Sequence, residues 1–206
     1  MSEERQQHWE EAYQGKAESE VSWYQEYPDI SLQLIDRSGI GMNAPLIDVG
    51  GGTSVLIDNL LLKGYSRVAV LDISSAALEC TRQRLADKAE QVEWLVSDVT
   101  RFQPSHTFSL WHDRAVFHFL TDTEDRRRYI DVLKSALRQG GYLVLATFAL
   151  DGPEQCSGLP VERYDADKMQ AVLGEEFTLQ ESRREVHVTP AGGEQRFSYA
   201  LFRYQS

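Results

Sequence analysis

The chain has 206 residues, of which 42% are hydrophobic and 26% are charged. These values predict a soluble protein with a single domain, 1–206, and a full-sized core. The net charge of −11 disfavours nucleic acid as a partner and favours neutral or cationic ligands. No apolar run reaches the roughly 20 residues of a membrane span, and Met1 to Glu11 is too polar for a signal peptide. Cys80 and Cys156 match no metal-binding spacing, so we expect a cytoplasmic protein without a metal site or a membrane partner.

The first 40 residues are predicted to form a helical, aromatic segment. His8 to Tyr13 is typical of a short helix, and Ser31 to Arg37 is typical of a second helix that ends at Gly39. Five aromatic residues lie before the first predicted strand: Trp9, Tyr13, Trp23, Tyr24 and Tyr27. They could cover the edge of a sheet, or they could form a lid over a ligand site, and the sequence favours neither interpretation.

A short apolar run, Leu46 to Val49, is followed at once by Gly50, Gly51 and Gly52. After the glycines, leucines recur at helical spacing as far as Lys63, so the pattern predicts a strand, a glycine turn and a helix. Glycine lets a ligand lie against the backbone, and the start of a helix offers unpaired N–H groups. This arrangement predicts a nucleotide-type site at the carboxyl edge of a parallel sheet.

Two acids narrow the choice of ligand. Asp48 lies at the end of the first strand, where it would repel a pyrophosphate and attract an amino group. Asp72 ends the second apolar run and could bind both hydroxyls of a ribose. One acid for an ammonium group and one for a ribose fit S-adenosylmethionine better than NAD. The alternative is a plain glycine turn with two helix-capping aspartates.

The alternation of strands and helices continues over 45–148, which is the predicted cofactor-binding core. Asp98 follows the third strand, where it could bond the exocyclic amine of adenine or cap the next turn. Asp122 is predicted to cap a helix that runs through Leu137 and ends at Gly140-Gly141. The other predicted strands are Arg67–Leu71, Val92–Val96, Phe108–Trp111 and Tyr142–Phe148. Residues 149–206 are predicted to hold a substrate loop, a helix and a closing hairpin of two strands, Phe177–Val188 and Arg196–Tyr204.

Together these segments resemble the class I S-adenosylmethionine-dependent methyltransferases. The resemblance implies an α/β fold, namely a Rossmann-like, doubly wound, mostly parallel seven-stranded sheet with a C-terminal antiparallel hairpin. Ser54 stands where the family often has a third glycine. Four segments carry the resemblance: Ile47-Asp48-Val49-Gly50-Gly51-Gly52-Thr53-Ser54, Val70-Leu71-Asp72-Ile73-Ser74, Ser97-Asp98-Val99 and Ala136-Leu137-Arg138-Gln139-Gly140-Gly141-Tyr142-Leu143.

The resemblance implies S-adenosyl-L-methionine as the cofactor. It assigns Asp48, Asp72 and Asp98 to the cofactor site, and Trp23 is the lid aromatic expected to contact it. The run Asp113-Arg114-Ala115 is also similar to the thiopurine and halide/thiol methyltransferases, which act on small molecules. Further predicted contacts are the matched positions Gly50, Gly51, Gly52, Ser54, Ile73 and Val99.

The implied reaction is an in-line displacement at the sulfonium methyl group, which needs a base only if the acceptor is protonated. The candidates for that base are His112, Asp113 and His118, although a histidine near the fourth strand is often simply packed. Arg114 is expected to pair with a nearby acid. We expect a small-molecule acceptor between the N-terminal aromatics, residues 112–119 and the loop 151–163. The alternatives are a protein lysine methyltransferase, a NAD-dependent oxidoreductase and a cofactor-binding module without catalysis.

Overall fold

The computed structural model describes residues 2–13 and 20–205. Seven strands form one sheet in the order β3-β2-β1-β4-β5-β9-β8. Strands β1 to β5 are parallel, whereas β9 runs antiparallel to both of its neighbours, β5 and β8. The predicted Rossmann-like sheet with an antiparallel C-terminal hairpin is therefore confirmed.

The strands have the following bounds: β1 Leu46–Val49, β2 Val68–Asp72, β3 Val92–Val96, β4 Phe108–Arg114, β5 Leu137–Phe148, β8 Phe177–Val188 and β9 Glu194–Tyr204. A separate two-stranded ribbon is formed by β6 Gln155–Cys156 and β7 Leu159–Pro160. The helices are α1 Ser2–Tyr13, α2 Asp29–Ser38, α3 Leu56–Leu62, α4 Ser75–Leu85, α5 Thr123–Ala136 and α6 Ala166–Leu173.

The central strands are buried on both faces. Every residue of β1 and β2 is buried, as expected for a parallel sheet that is covered by helices on either side. One core cluster contains Trp111, Tyr129 and Phe202, and the other contains Leu110, Phe148 and Phe197. The adjacent strand residues Leu110 and Trp111 point to opposite faces, so the two clusters lie on the two sides of the sheet.

Local capping interactions set the helix ends that the sequence predicts. The Ser74 hydroxyl accepts a hydrogen bond from the Ala77 N–H at the start of α4, and Asp122 caps α5 in the same way. Gly39, in the left-handed conformation with φ of 70°, ends α2. Asp165 caps α6.

Several predicted boundaries are wrong. Helix α1 begins at Ser2 instead of His8, and strand β5 begins at Leu137 instead of Tyr142. Strand β4 continues past Trp111 to Arg114, because His112 and Asp113 pair with β1 and Arg114 pairs with β5. Helix α5 ends at Ala136, one residue before the expected Leu137, and Gly140-Gly141 lies within β5 instead of capping the helix. Leu137 pairs with Phe108 and Tyr142 with Leu110, so the residues between them form an irregular, bulged part of the strand.

Helix α1 lies across the carboxyl end of the sheet. The Glu10 carboxylate accepts hydrogen bonds from the N–H groups of Ser75 and Ala76, so α1 caps the start of α4. Within the described ranges 2–13 and 20–205, no helix is both long and apolar enough to cross a bilayer. The division into a lid at 1–40, a core at 45–148 and a closing region at 149–206 stays a prediction.

Candidate functional site

A large cavity opens at the carboxyl ends of the parallel strands, with about 850 Å³ of space between protein atoms when the solvent at its mouth is included. Its wall is formed by the ends of β1 and β2, the residues after β3, the end of β4 and the residues after it, helix α1 and strand β9. This is the sheet edge at which ligands of open α/β sheets bind. The predicted contacts that line it are Trp23, Gly50, Asp72, Ile73, Asp98 and Val99.

A small cavity lies beside it, on the glycine-turn side, with about 540 Å³ of space when the solvent at its mouth is included. Trp23, Gly50 and Arg114 line both cavities, so these residues mark the junction between them. The predicted site residues Asp48, Gly51, Ser54 and His112 also line the small cavity. The two cavities therefore bring together most of the predicted site.

Asp48 is buried in the wall of the small cavity. Its Oδ1 accepts a hydrogen bond from His112 Nδ1–H at 2.7 Å, and His112 Nε2 accepts one from the Ser31 hydroxyl at 2.9 Å. Oδ2 of Asp48 is buried and has no hydrogen-bond partner among the described residues. An ionised oxygen in that state is costly unless a donor reaches it, so the small cavity is suited to a cationic or N–H-bearing group.

Asp72 ends β2 in the wall of the large cavity. Its Oδ1 accepts a hydrogen bond from the Ser74 N–H at 2.8 Å. Burial raises the pKa of the Asp72 carboxyl to about 7, against the opposing effect of backbone N–H groups of Ser74, Gly52 and Ile73. The carboxyl is thus poised to change charge near neutral pH, and hydroxyl donors from a ligand would favour its ionised form.

Asp98 both caps a turn and lines the large cavity. Its Oδ1 accepts hydrogen bonds from the Thr100 N–H and hydroxyl at 2.9 and 2.8 Å. Arg5 Nη1 contacts Oδ2 at 3.3 Å, and Arg5 Nη2 donates to Asp125 at 2.6 Å. Asp98 therefore caps the turn, as one of the two alternatives predicts. A hydrogen bond from adenine to the same carboxylate stays a prediction.

The glycine turn is packed too tightly for a side chain. Gly50 has a φ of 68°, and a Cβ placed on it would stand 2.0 Å from Val116 Cγ2. A Cβ on Gly51 would stand 2.6 Å from Asp48 Oδ2. Gly52 lines neither cavity, but a Cβ there would come within 2.9 Å of Asp72 Oδ2. Glycine at these positions keeps Asp48, Asp72 and the wall residue Val116 in place.

Helix α1 covers part of the large cavity, where its side chains Arg5, Trp9 and Tyr13 line the wall. The Trp9 ring contacts the rings of Trp23 and Phe119 edge-on, with centroids 5.9 and 5.0 Å apart. The aromatics therefore lie over the site and contact one another there. Arg5 was missed in the sequence, because one arginine on a charged helix resembles an ordinary solvated residue.

Comparisons with known proteins agree with this geometry. A family described as a methyltransferase domain matches residues 46–141. Malonyl-[acyl-carrier protein] O-methyltransferase 2 of Ilyobacter polytropus is 26% identical over 134 residues, which cover 62% of this chain and 50% of that protein. EEF1A lysine methyltransferase 2 of Danio rerio is 23% identical over 163 residues, covering 68% of this chain and 67% of that one. The chain thus spans about half the length of the first of these relatives.

Solved structures show the same fold. A S-adenosylmethionine-dependent methyltransferase from Anabaena variabilis superposes with a TM-score of 0.76 at 15% identity, covering 99% of this chain and 95% of that one. The 1,6-didemethyltoxoflavin-N1-methyltransferase of Burkholderia thailandensis, with its substrate and S-adenosylhomocysteine bound, superposes with a TM-score of 0.69 at 18% identity, covering 87% and 78%.

The match to the methyltransferase-domain family over residues 46–141 confirms the predicted resemblance to the class I S-adenosylmethionine-dependent methyltransferases. The residues present fit that cofactor: Asp48 Oδ2 is a buried acceptor that lacks a donor, and Asp72 and Asp98 line the adjoining cavity. The closer similarity to thiopurine and halide/thiol methyltransferases stays a prediction.

The three predicted catalytic residues lie in different settings. His112 lines the small cavity, but both of its ring nitrogens are already hydrogen-bonded. Asp113 and His118 are fully buried and line neither cavity. His118 Nδ1 accepts a hydrogen bond from the Phe148 N–H at 3.3 Å, and burial lowers the pKa of its imidazole to about 3. The base role predicted for these residues receives no support from this placement.

Asp113 instead organises the wall of the large cavity. Its carboxylate accepts hydrogen bonds from the N–H groups of Val116 and Phe117 and from the Tyr129 hydroxyl at 2.6 Å. Burial raises the pKa of this carboxyl to about 6. Asp113 thereby fixes the turn that presents Ala115, Val116 and Phe119 to the cavity.

The large cavity is mostly aromatic on the side next to the junction residue Arg114. Phe119, Phe148 and Phe197 line it together with Cys156, whose thiol pKa burial raises to about 11. Phe117, which lies in the segment 112–119 that is predicted to face the acceptor, packs in the core instead. The polar side chains on this side are Arg114 and Gln195. Gln195 was missed because it lies on β9, far in sequence from the glycine turn.

Proposed function

We propose that this protein transfers a methyl group from S-adenosylmethionine to a small-molecule acceptor. The bound cofactor supplies an electrophilic methyl group on a sulfonium sulfur. Asp48 would hold its ammonium group, Asp72 its ribose hydroxyls and Asp98 its adenine. The junction residues Trp23 and Gly50 would lie between the two halves of the cofactor.

The small-molecule assignment rests on one observation. The part of the large cavity that is lined by Phe148, Phe197 and Cys156, here called the acceptor end, lies deep in the protein. Phe148, Phe197 and Cys156 are buried side chains, yet they line the same cavity as Asp72 and Asp98. Helix α1 and strand β9 enclose this end from two sides. A mostly apolar, enclosed wall with a few polar groups is typical of a small-ligand site.

The side chains at the acceptor end favour a methyl acceptor that needs no general base. Of its titratable side chains in the described ranges, Arg114 is cationic and the Cys156 thiol has a pKa of about 11. Tyr13, nearer to Asp72, has a pKa that burial raises well above its usual value. The acceptor therefore brings its own lone pair, as a thiolate, a carboxylate or a ring nitrogen does.

The relatives include enzymes with a small-molecule acceptor and enzymes with a protein acceptor. The toxoflavin enzyme carries a small substrate, and the malonyl-[acyl-carrier protein] enzyme acts on a carrier-bound acyl group. The match to the lysine methyltransferase, together with a net charge of −11, favours a lysine-bearing protein as the second candidate. The enclosed acceptor end favours the small molecule.

The test compares cofactor binding with turnover. S-adenosylhomocysteine should bind in calorimetry, and Asp72→Asn should weaken it while the exposed Asp87→Asn leaves it unchanged. Labelled S-adenosylmethionine should then methylate members of a panel of small thiols, carboxylic acids and heterocycles. Efficient methylation of a lysine-rich protein, with no turnover of the panel, would replace this proposal with the protein-methyltransferase reading.

Three further predictions belong to this proposal. Residues 1–40 act as the lid, which the position of Arg5, Trp9 and Tyr13 supports. The protein works in the cytoplasm, which the free cysteines Cys80 and Cys156 support. Nucleic acid is not a partner, because the chain is strongly acidic.

A further inference from the structure

The guanidinium of Arg114 is held rigidly at the junction of the two cavities. Its Nε donates a hydrogen bond to the Tyr199 hydroxyl at 2.8 Å, and Nη1 donates one to the Trp23 carbonyl at 3.0 Å. The group also stacks on the Phe197 ring, 4.4 Å from its centroid. Only 11% of the side chain is exposed. Arg114 is thus a buried cation with a fixed orientation.

The third guanidinium nitrogen is not satisfied. Arg114 Nη2 is buried and makes no hydrogen bond to the described residues. Nη2 forms a long ion pair with Glu185 at 3.8 Å, which is the acid pairing that the sequence predicts for Arg114 but is too long for a hydrogen bond. The Glu185 oxygens already accept hydrogen bonds from Tyr199 and Gln25. A buried charged donor without an acceptor costs free energy, so this nitrogen is suited to an anionic ligand that enters the cavity.

The surroundings of Nη2 define what such a ligand looks like. Phe119, Phe148 and Phe197 supply an apolar wall in the same cavity. Gln195 lines this cavity as well. Like Arg114 Nη2, its amide oxygen is buried and makes no hydrogen bond to the described residues. A guanidinium edge beside aromatic rings matches a carboxylate on an apolar body, because arginine binds planar oxyanions through parallel N–H groups.

We propose that the methyl acceptor carries a carboxylate, which Arg114 binds through Nη2 while the apolar body packs on the phenylalanine wall. This inference rests on the proposed function, since it concerns the acceptor of that same reaction. It makes Arg114 a specificity-determining residue.

A carboxylate could also come from the cofactor's own methionine part, because Arg114 lines the small cavity too. The contacts of the guanidinium favour the acceptor. Tyr199, Glu185 and Phe197 belong to the hairpin β8–β9, and Trp23 belongs to the segment beside it, whereas no hydrogen bond of Arg114 reaches the glycine turn.

The experiment uses two probes of nearly the same shape, phenylacetate and phenylacetamide, which differ in charge and in one oxygen that is an NH₂ group in the amide. Each is titrated into the full-length protein, with and without saturating S-adenosylhomocysteine, and binding is followed by calorimetry or ligand-observed NMR. The variants are Arg114→Gln, which removes the charge, and Arg114→Lys, which keeps the charge but not the planar fork. Arg82→Gln is the matched control, because Arg82 is exposed and also stacks on an aromatic ring, that of Trp94.

Phenylacetate should bind the unmodified protein and Arg82→Gln about 10- to 100-fold more tightly than phenylacetamide, which is the range for a hydrogen bond to a charged group. Arg114→Gln should abolish this preference, and Arg114→Lys should keep part of it. Affinity for S-adenosylhomocysteine should change less than about threefold in both variants. If Arg114→Gln does not fold, Arg114→Lys and the probe pair on the unmodified protein decide the question.

Equal binding of the two probes by the unmodified protein, or an unchanged preference in Arg114→Gln, overturns the inference. A loss of S-adenosylhomocysteine affinity of more than tenfold in Arg114→Gln also overturns it, because Arg114 would then serve the cofactor's carboxylate. If the unmodified protein does not bind S-adenosylhomocysteine at all, the proposed function is refuted. The preference between the two probes, measured in the absence of S-adenosylhomocysteine, then tests the anion site of Arg114 separately.

Discussion

The glycine-turn side and the hairpin side of the site are built in different ways. On the glycine-turn side, Asp72 and Asp98 bond backbone groups only two residues away, and the turn leaves no room for a Cβ. On the hairpin side, Arg114 is held by Trp23 and by residues of β8 and β9, and Nη2 stays unsatisfied. The first region is a compact local unit that suits a constant ligand, whereas the second combines distant segments that can vary with the acceptor.

The largest expected effect comes from filling the glycine turn. Gly50→Ala should lower the free energy of unfolding by about 2–5 kcal/mol, because it adds left-handed strain and forces a clash with Val116. Gly39→Ala is the matched control, since Gly39 has nearly the same φ and nothing within 4 Å of the added Cβ. It should lose only about 1–2 kcal/mol. Urea denaturation measures both.

A double variant sharpens this prediction. Val116→Ala combined with Gly50→Ala removes the clashing methyl group and should recover part of the lost stability. Equal losses in Gly50→Ala and Gly39→Ala would show that the turn is not tightly packed, and the contrast between the two regions would then be wrong.

A smaller loss is expected at Asp113, where the two regions meet. Asp113→Ala leaves the Tyr129 hydroxyl and the N–H groups of Val116 and Phe117 without their acceptor. Unfolding free energy should fall by about 2–3 kcal/mol, since buried unsatisfied donors cost 1–3 kcal/mol. Asp131→Ala on the exposed face of α5 should change it by less than about 1 kcal/mol. A catalytic role would instead leave stability unchanged and abolish turnover.

The smallest expected effect is a pH dependence of cofactor binding. The Asp72 carboxyl has a pKa of about 7, and ribose hydroxyls bind its ionised form, so binding is strongest above pH 7. S-adenosylhomocysteine affinity should fall about tenfold from pH 8 to pH 6, following the ionised fraction. Asp72→Asn should bind more weakly at pH 8 and lose this slope, and Asp87→Asn should keep it. A flat profile in the unmodified protein would show that Asp72 does not contact the ligand through its charge.

The local part of the site follows from the sequence, because adjacent residues determine it. The run Leu46 to Val49 and the serine cap of α4 need only their neighbours, and the structure has both where the pattern predicts them. The end of α5 was misjudged because pairing of Leu137 with Phe108 overrides the local glycine signal. The sequence predicts an acid partner for Arg114 but not that the partner is Glu185 on β8, and it does not single out Gln195, since the surroundings of both residues depend on how β9 inserts into the sheet.

The position of β9 also has a consequence for synthesis on the ribosome. Strand β9 inserts between β5 and β8, although it follows both in the chain. The buried, apolar part of β5, from Leu143 to Phe148, therefore has an unpaired edge until residue 204 has emerged. At about 5–20 residues per second, that interval lasts about 3–11 seconds. During this time the nascent chain exposes an open strand to other chains, so this is the period in which aggregation competes with folding.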